Sequence, residues 1–464
     1  LSVPVAYATL GAIISMAPAE AAAGPWGIGG AAMLLGAGAT LGTVLLFGLA
    51  PALSAAGADP GAVMKGHAAH SAGARAVARF RGALSTAQIA FSTVLLVMAG
   101  LFTQSLLNLT RTDLGMDVDS VVTFTVSPRL NGYSADRVMN MYSEIEEQVR
   151  AQPGVTAVGS SSVRLLANNA QNAVIDIEGF ERGYPATSAA TNNVGAGFFA
   201  ALSMPLKAGR EFTAADGLFA PRVAIVNESF VRKFNLGEDA IGTRFGLNGP
   251  RNIEIVGIVG DAKYNQVKAE IPPQLFLSRL QNPFLGTMTF YVRAGVEPAM
   301  LAQTIRRTIA RIDPNLPLAS LTTLQRQARE NMFLDRLVMA LSASLAVLAT
   351  LLAAVGLYGV IAYNVVTRTR ELGLRLALGA APATVQRMVL RQVGVMALIG
   401  GGLGLVAAIG LGRASEALLF GITGYDPLVL LVAAAVLSTV VLGAGYLPAR
   451  RASRVAPMEA LRHE

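Results

Sequence analysis

Apolar runs long enough to cross a bilayer recur along this chain, and no other feature restricts its folding as severely. They lie at residues 1–18, 31–50, 84–107, 336–363, 387–411 and 428–447, the first of marginal length. Inside lipid every backbone N–H and C=O must find a partner within its own segment or its neighbours, so runs of this kind become helices. The apolar fraction of 53% and the charged fraction of only 14% fit a membrane protein. Most of the charge falls in one long section between the third and fourth runs. The expected fold is therefore an α-helical membrane protein of about six transmembrane helices with a large extracytoplasmic α+β domain.

The end of the chain repeats the end of its first sixty residues. From Gly48 it reads GLAPALSAAGADPGAVMKG and from Gly445 GYLPARRASRVAPMEALRH, so that without a gap Pro51 falls on Pro448, Ala52 on Ala449, Ala55 on Ala452 and Pro60 on Pro457. Each copy follows a charge-free apolar run, which reads as a duplicated unit of membrane helix and polar tail. The copies are unequal. Arg450, Arg451 and Arg454 stand opposite Leu53, Ser54 and Gly57, and Glu459 stands opposite Ala62. The start at Leu1, apolar and without Met, is read as the interior of a longer protein, and no signal peptide is expected from it.

Orientation follows from charge. With the large section outside, the segments 51–83, 364–391 and 448–464 lie inside and hold 13 Lys/Arg against four acids. The short opposite loops, 19–30 and 412–427, hold one Arg and three acids, and the large section is nearly neutral at 22 basic against 21 acidic residues. Most of the net charge of +8 is thus cytoplasmic, as the positive-inside rule requires, and gives no support to nucleic-acid binding. There is no cysteine, so neither disulfide nor thiolate chemistry is available.

The large section alternates strand-like runs at 121–126, 173–179, 222–227, 252–260 and 287–293 with helical patterns at 134–151 and 298–312. The helices are opened by Ser134 with Asp136 and by Glu297 with Pro298. Its length suggests an α+β region of two lobes.

Enzymatic motifs fail on inspection. No G-x-x-x-x-G-K-S/T occurs, so the chain carries no phosphate-cradling loop and is not expected to be an enzyme or to hold a cofactor or metal of its own. Gly402, Gly404 and Ala407 formally match G-x-G-x-x-A, but inside an apolar run Gly400-x-x-x-Gly404, like Gly38-x-x-x-Gly42, is better read as close helix packing. His67 and His70 make a weak two-ligand pair, better read as solvated. Glu144, Glu146 and Glu147 read as a solvated helix face, and Asp261 reads as a turn residue before a catalytic acid. Asn227-Glu-Ser229 fits the glycosylation pattern without carrying information.

The strongest local signal is TRTRELGLRLALGAAPATVQRMVLRQ, Thr367 to Gln392. Leu372, Arg375 and Leu376 share a side at helical spacing, Gly379 can end that helix, and Pro382 can begin the next. The simplest physical reading is an amphipathic anchor at the membrane surface.

This run resembles the signature R-x-x-E-I/L-G-I/L-R/L-x-A-L/I-G-A of FtsX/MacB-type ABC transporter permeases. Arg368, Glu371, Leu372, Gly373, Leu374, Arg375, Ala377, Leu378, Gly379 and Ala380 match it position by position. The terminal segment resembles that family's ending at Pro448, Ala449, Ala452, Ser453, Pro457, Glu459, Ala460, Leu461 and Arg462. The stretches FFAALSMPLKAGREFTAAD, VAIVNESFVRKF, NIEIVGIVGDAKY and PPQLFL resemble the family's periplasmic core domain. The duplication resembles the acidobacterial-type duplicated permeases.

The resemblance implies a layout of six parts. Residues 1–50 would be the last two transmembrane helices of a first permease half, 51–83 a cytoplasmic linker and 84–107 the first transmembrane helix of the second half. Residues 108–333 would be a MacB-like periplasmic core domain, 334–448 three transmembrane helices with an ATPase-coupling helix at 367–380, and 449–464 a cytoplasmic tail. The coupling residues would be Arg368, Arg370, Glu371, Leu372, Gly373, Arg375, Ala377 and Gly379, and the tail would act through Pro448, Arg450, Arg451, Pro457 and Glu459. ATP and Mg would be bound by a separate ABC ATPase subunit, with a periplasmic or outer-membrane partner on the other side. The expected function is to couple that ATPase to motion of the periplasmic domain, in efflux or mechanotransmission, from the bacterial inner membrane with the C-terminus in the cytoplasm. The alternative is a non-transporting scaffold that regulates an envelope partner.

Overall fold

The computed structural model describes residues 11, 29–45, 68–180, 187–247, 249–378 and 381–453. The chain divides into two compact units, a helical one from Leu1–Thr110 and Leu334–Glu464 and an α+β one from Arg111–Phe333.

In the helical unit the apolar runs form α1 (Gly30–Val44), α2 (Ala68–Arg111), α8 (Phe333–Thr367), α10 (Pro382–Ala414) and α11 (Pro427–Ala452), with a short α9 (Thr369–Ala377) between α8 and α10. Among the described residues four helices are long and apolar enough to cross a membrane: Arg79–Arg111, Phe333–Thr367, Pro382–Ala414 and Pro427–Ala452. Of the first expected span only Gly11 lies among the described residues, and of the second α1 contributes the apolar piece Met33–Gly42. The helix α2 begins well before residue 84, within the segment read as a linker. His67 lies outside the described residues.

The helices pack through columns of buried residues in which glycine and alanine join larger apolar side chains. On α10 the buried positions Val385, Val389, Val393, Gly400, Gly404, Ala408 and Gly412 fall on one face, and on α11 Val429, Ala433, Leu437, Val441 and Gly445 repeat every fourth residue. The Gly400-x-x-x-Gly404 reading holds in space. A Cβ on Gly400 would lie 2.7 Å from the Thr86 carbonyl oxygen, and one on Gly404 would lie 2.6 Å from that of Ala90, so only glycine lets α10 come this close to α2. Gly38 and Gly42 meet no such neighbour among the described residues. The opposite faces expose Leu398, Leu403, Val406, Leu431 and other large apolar side chains. Such faces suit lipid, which is as apolar as leucine.

The α+β unit holds the strands β1 (Val121–Val126), β2 (Val155–Ser161), β3 (Gln171–Asp176), β4 (Ser188–Val194), β5 (Leu206–Gly209), β6 (Arg222–Asn227), β7 (Arg244–Leu247), β8 (Ile253–Val259), β9 (Gln274–Ser278), β10 (Met288–Ala294) and β11 (Leu318–Thr323). Its helices are α3 (Ala135–Arg150), α4 (Phe198–Ala201), α5 (Glu228–Lys233), α6 (Pro298–Ile312) and α7 (Leu324–Asn331). All eleven strands join one hydrogen-bonded sheet in the order β11-β1-β10-β2-β4-β3-β7-β8-β6-β9, with β5 on β8. Because β9 also pairs with β4 in parallel, six strands from β4 to β9 close on themselves. Strands β2 and β4 meet at a single residue pair, Ser161 with Val194.

Two hydrophobic clusters follow from this topology. The antiparallel β11-β1-β10-β2 stretch is covered by α3 and α6 around Phe124, Tyr142, Ile145, Phe290 and Ile305, with the directly paired rings of Phe124 and Phe290 stacked at 5.0 Å. The closed stretch packs around Ile175, Val226, Phe230, Phe234, Phe245 and Ile255.

One reading is corrected here. Glu144 and Glu147 are exposed, but Glu146 is buried and forms an ion pair of 2.8 Å with the buried Arg279. Position 146 lies four residues after Tyr142 and three before Val149, which places it on the core-facing side of α3. Asp261 lies in the loop after β8, where its carboxylate accepts the Ser229 N–H and hydroxyl, both at 2.8 Å, and an Arg232 N–H at 2.5 Å. Asn227 is fully buried. Its Oδ1 accepts from Phe230 N–H and Gln274 N–H and its Nδ2 donates to the Pro272 carbonyl, so in the folded chain it is closed to glycosylation.

Candidate functional site

The run that carries the strongest sequence signal folds as α9, nine residues between two membrane-length helices. Its entry is fixed by hydroxyls. Thr367 Oγ1 donates to the Tyr363 carbonyl at 3.0 Å, and Thr369 Oγ1 donates to those of Val365 and Val366 at 3.0 and 2.8 Å. The chain therefore breaks at Arg368, whose φ of −107° and ψ of 14° leave the helical region. The exit is set by Pro382 at the first position of α10, preceded by Ala381 in the extended conformation that a following proline favours.

On α9, Glu371 and Arg375 pair with each other at 2.6 Å, one turn apart and both largely exposed. Such a pair contributes a few tenths of a kcal/mol (about 0.3–0.5), so it can exchange for other partners at little cost. Arg375 also reaches Met388 Sδ on α10 at 3.3 Å. Gly373 is buried, and Leu376 packs against the bundle core of Ile361, Val385, Val389 and Ala449. With Leu376 turned inward, the apolar side facing outward is Leu374 and Leu378, 49% and 80% exposed, beside the exposed Ala377. The sequence reading missed these two leucines as a surface. Their i,i+4 spacing was the available signal, and the choice between the two leucine pairs depended on where the neighbouring helices lie.

Arg370 and Leu372 also belong to α9, while Gly379, Pro457 and Glu459 lie outside the described residues. Pro448 is buried within α11, which runs on to Ala452. Arg450 is exposed, and Arg451 donates to the Tyr358 hydroxyl at 2.8 Å. At the same end Arg81 stacks over the Tyr363 ring at 4.4 Å, and Arg387 and Arg391 are exposed on the first turns of α10. The core cluster there joins Ile89, Leu357, Ile361, Val385, Val389, Ala449 and Ala452, so four helices meet at one end of the bundle with arginines of α2, α10 and α11 around them. The other end is closed by different contacts. The Phe420 N–H donates to Ser105 Oγ at 2.8 Å, Asn108 Nδ2 donates to the Gly421 carbonyl at 3.1 Å, and Gly412 backs directly onto Gly424. No group of three or more metal-ligating side chains occurs among the described residues.

Residues 83–308 match the family described as MacB-like periplasmic core domain, and residues 343–457 match the FtsX-like permease C-terminal family. The chain joins a MacB-like periplasmic core domain to an FtsX-like permease domain. The second match takes in α9, α10 and α11. Among curated relatives, the macrolide export ATP-binding/permease protein MacB 2 of Aeromonas hydrophila is 29% identical over 282 residues, 58% of this chain and 43% of that protein. The uncharacterized ABC transporter permease YknZ of Bacillus subtilis is 25% identical over 293 residues, 60% of this chain and 71% of that one. MacB of Hahella chejuensis is 25% identical over 337 residues, and the chain spans 48% of its length. The chain thus spans less than half the length of these MacB relatives. Among solved structures, the periplasmic region of MacB from Actinobacillus actinomycetemcomitans aligns with 47% of this chain and 95% of that one at 15% identity and a TM-score of 0.32.

Proposed function

We propose that this chain is the permease part of a MacB/FtsX-type ABC transporter, in which a separate ATPase subunit binds ATP and Mg and docks on α9. The observation that carries the reading is α9 itself, a short helix held at both ends with Leu374 and Leu378 exposed beside an exchangeable ion pair. An apolar helix face laid into a partner groove is a common recognition mode, and burying each leucine contributes about 1.5–3 kcal/mol. Glu371 and Arg375 then set register and orientation by charge.

The end of the bundle that bears α9 is the cytoplasmic one, on the strength of its arginines, and the C-terminus lies there too. The membrane is the bacterial inner membrane. The α+β unit is periplasmic and consists of two lobes, one around each hydrophobic cluster. The helices α2 and α8, which flank that unit in sequence, relay ATPase motion outward as levers. Their middle turns contain no charged residue, which a polar conduit through the bundle would need. The output is efflux or mechanotransmission, with a periplasmic or outer-membrane protein as the further partner. The echo between residues 48–66 and 445–463 supports a duplicated permease of the acidobacterial type.

The test is co-purification of the full chain with candidate ABC ATPases and measurement of ATPase stimulation. The paired substitution Glu371→Lys/Arg375→Glu keeps the intrahelical pair while inverting the field seen by a partner. Leu374→Ser/Leu378→Ser removes the apolar face. Each is expected to weaken association at least about 10-fold. Association and stimulation that survive both changes would sink the docking role of α9. ATP-dependent efflux from cells expressing the chain with its ATPase separates transport from mechanotransmission.

A further inference from the structure

The first turns of α10 carry a feature that ATPase docking does not use. A shallow, open depression of about 500 Å³ lies there, lined by Ala383, Gln386, Arg387, Leu390 and Arg391. Arg387 and Arg391 are both exposed, sit one helical turn apart on the same face, and have no carboxylate within ion-pair distance among the described residues. Continuing down that face by steps of four, three, four and four residues come Val395, Leu398, Gly402 and Val406, every one of them exposed. Leu398 and Val406 are 78% and 72% exposed.

The geometry along the axis is also specific. The 33 residues of α10 span about 50 Å, some 20 Å more than a bilayer's hydrocarbon core, so the helix extends into the headgroup region. Arg387 and Arg391 lie within the first ten residues of the helix, about 14 Å of its length, at the headgroup level. Two guanidinium groups over an uninterrupted apolar strip match one ligand shape: a phosphate above, with an acyl chain running below. The arginine fork binds phosphate oxygens in pairs, which a diffuse basic surface does not.

We propose that this face of α10 is a binding site for an anionic diacyl phospholipid, its phosphate held by Arg387 and Arg391 and one acyl chain laid along Val395, Leu398, Gly402 and Val406. A phospholipid fits better than an acidic protein surface because the basic pair continues directly into the membrane-facing strip of the same helix. The site requires only that α10 cross the membrane. It does not depend on which side is cytoplasmic or on any ATPase, so its failure would leave the docking role of α9 untouched.

The test is native mass spectrometry of the full chain released from nanodiscs of equal dioleoylphosphatidylglycerol and dioleoylphosphatidylcholine. Each arginine near an anionic headgroup is expected to favour the anionic lipid about 5-fold, and the two together about 30-fold. Arg387→Gln/Arg391→Gln should remove that preference. Arg387→Lys/Arg391→Lys should keep only part of it, because an ammonium supplies the charge without the paired bonds to phosphate oxygens, and Arg413→Gln, at the opposite end over the Tyr425 ring, should leave it unchanged. Equal retention of the two lipids by the unaltered chain would overturn the proposal without recourse to any variant. So would a preference that survives the double glutamine change, or full displacement of the lipid by an equal concentration of glycerol 3-phosphate, which marks a site for the free anion.

Discussion

Replacing Glu146 by alanine should be among the most damaging single changes in the α+β unit. The Glu146 and Arg279 side chains are 9% and 4% exposed and meet at 2.8 Å. At an effective dielectric constant near 20 their attraction is about 6 kcal/mol, which offsets a desolvation cost of several kcal/mol for each ion. The intact pair is therefore close to neutral for stability, but either member alone is not. Glu146 Oε1 also accepts the Ser160 hydroxyl at 2.6 Å, whereas Nε and Nη1 of Arg279 are buried with no hydrogen-bond partner among the described residues. Without Glu146 the guanidinium keeps only the Ser143 hydroxyl at 3.2 Å. Breaking a buried pair in this way costs about 3–5 kcal/mol. For a unit of roughly 220 residues that corresponds to a fall in melting temperature of about 6–20 °C. The pair also has a position. Glu146 stands on α3, over the first hydrophobic cluster, and Arg279 follows β9 on the closed part of the sheet, so the pair bridges the two beside the single-residue contact of β2 and β4. Calorimetry of the full chain in detergent, with amide exchange on α3 and β9, measures both effects. Glu146→Leu combined with Arg279→Met should recover most of the loss, because an apolar pair carries no uncompensated charge. A shift below about 2 °C for Glu146→Ala, or a double variant as unstable as the single one, would refute the reasoning.

Gly404→Leu should force α10 away from α2, because its Cβ would lie 2.6 Å from the Ala90 carbonyl oxygen, whereas Gly402→Leu meets nothing within 4 Å. Size-exclusion profiles and melting in detergent should separate the two, and equal behaviour would count against close packing of these helices. Asn227→Ala removes the cap on α5 and leaves the Gln274 N–H and Pro272 carbonyl unpaired, a loss of about 2–4 kcal/mol that should appear as faster amide exchange at Phe230 and Gln274. Two hydrogen bonds from Arg210, with burial opposing them and the Thr213 N–H assisting, hold the Asp216 carboxyl below its ordinary value of 3.8. A lowered folded pKa gives stability that is complete above the unfolded value and lost as pH falls through the folded one. Protection of the Thr213 amide should therefore hold above about pH 5 and fall away below about pH 4, and Asp216→Asn should flatten that profile. An unchanged profile in the variant would discount the ion pair. The Tyr133 hydroxyl acts on Asp313 in the same direction.

The strands anticipated from sequence are those with apolar alternation, such as Ile253–Val259, whose buried and half-buried positions alternate along its length. Those missed are polar or short. Ser188–Val194 reads SAATNNV, yet it sits inside the sheet because Asn192 is buried and bonded to both the Val163 N–H and carbonyl. No period in the sequence reveals a strand whose burial is satisfied by side-chain hydrogen bonds. The same limit hid Glu146. Its helical position pointed inward, but a carboxylate there is tolerable only because Arg279 arrives from 133 residues away.

The sequence alone determined four of the membrane-length helices, the basic character of one end of the bundle, the α+β unit between α2 and α8, and the position of α9, because length, hydropathy and charge are local properties that lipid and water read directly. Tertiary structure alone decided which face of α9 is free, since Leu376 turns inward only where α10 and α11 stand beside it. It also decided that the β4–β9 pairing closes six strands on themselves and that Arg387 and Arg391 meet no carboxylate among the described residues. Those outcomes depend on contacts between residues distant in the chain, where spacing along the sequence carries no information.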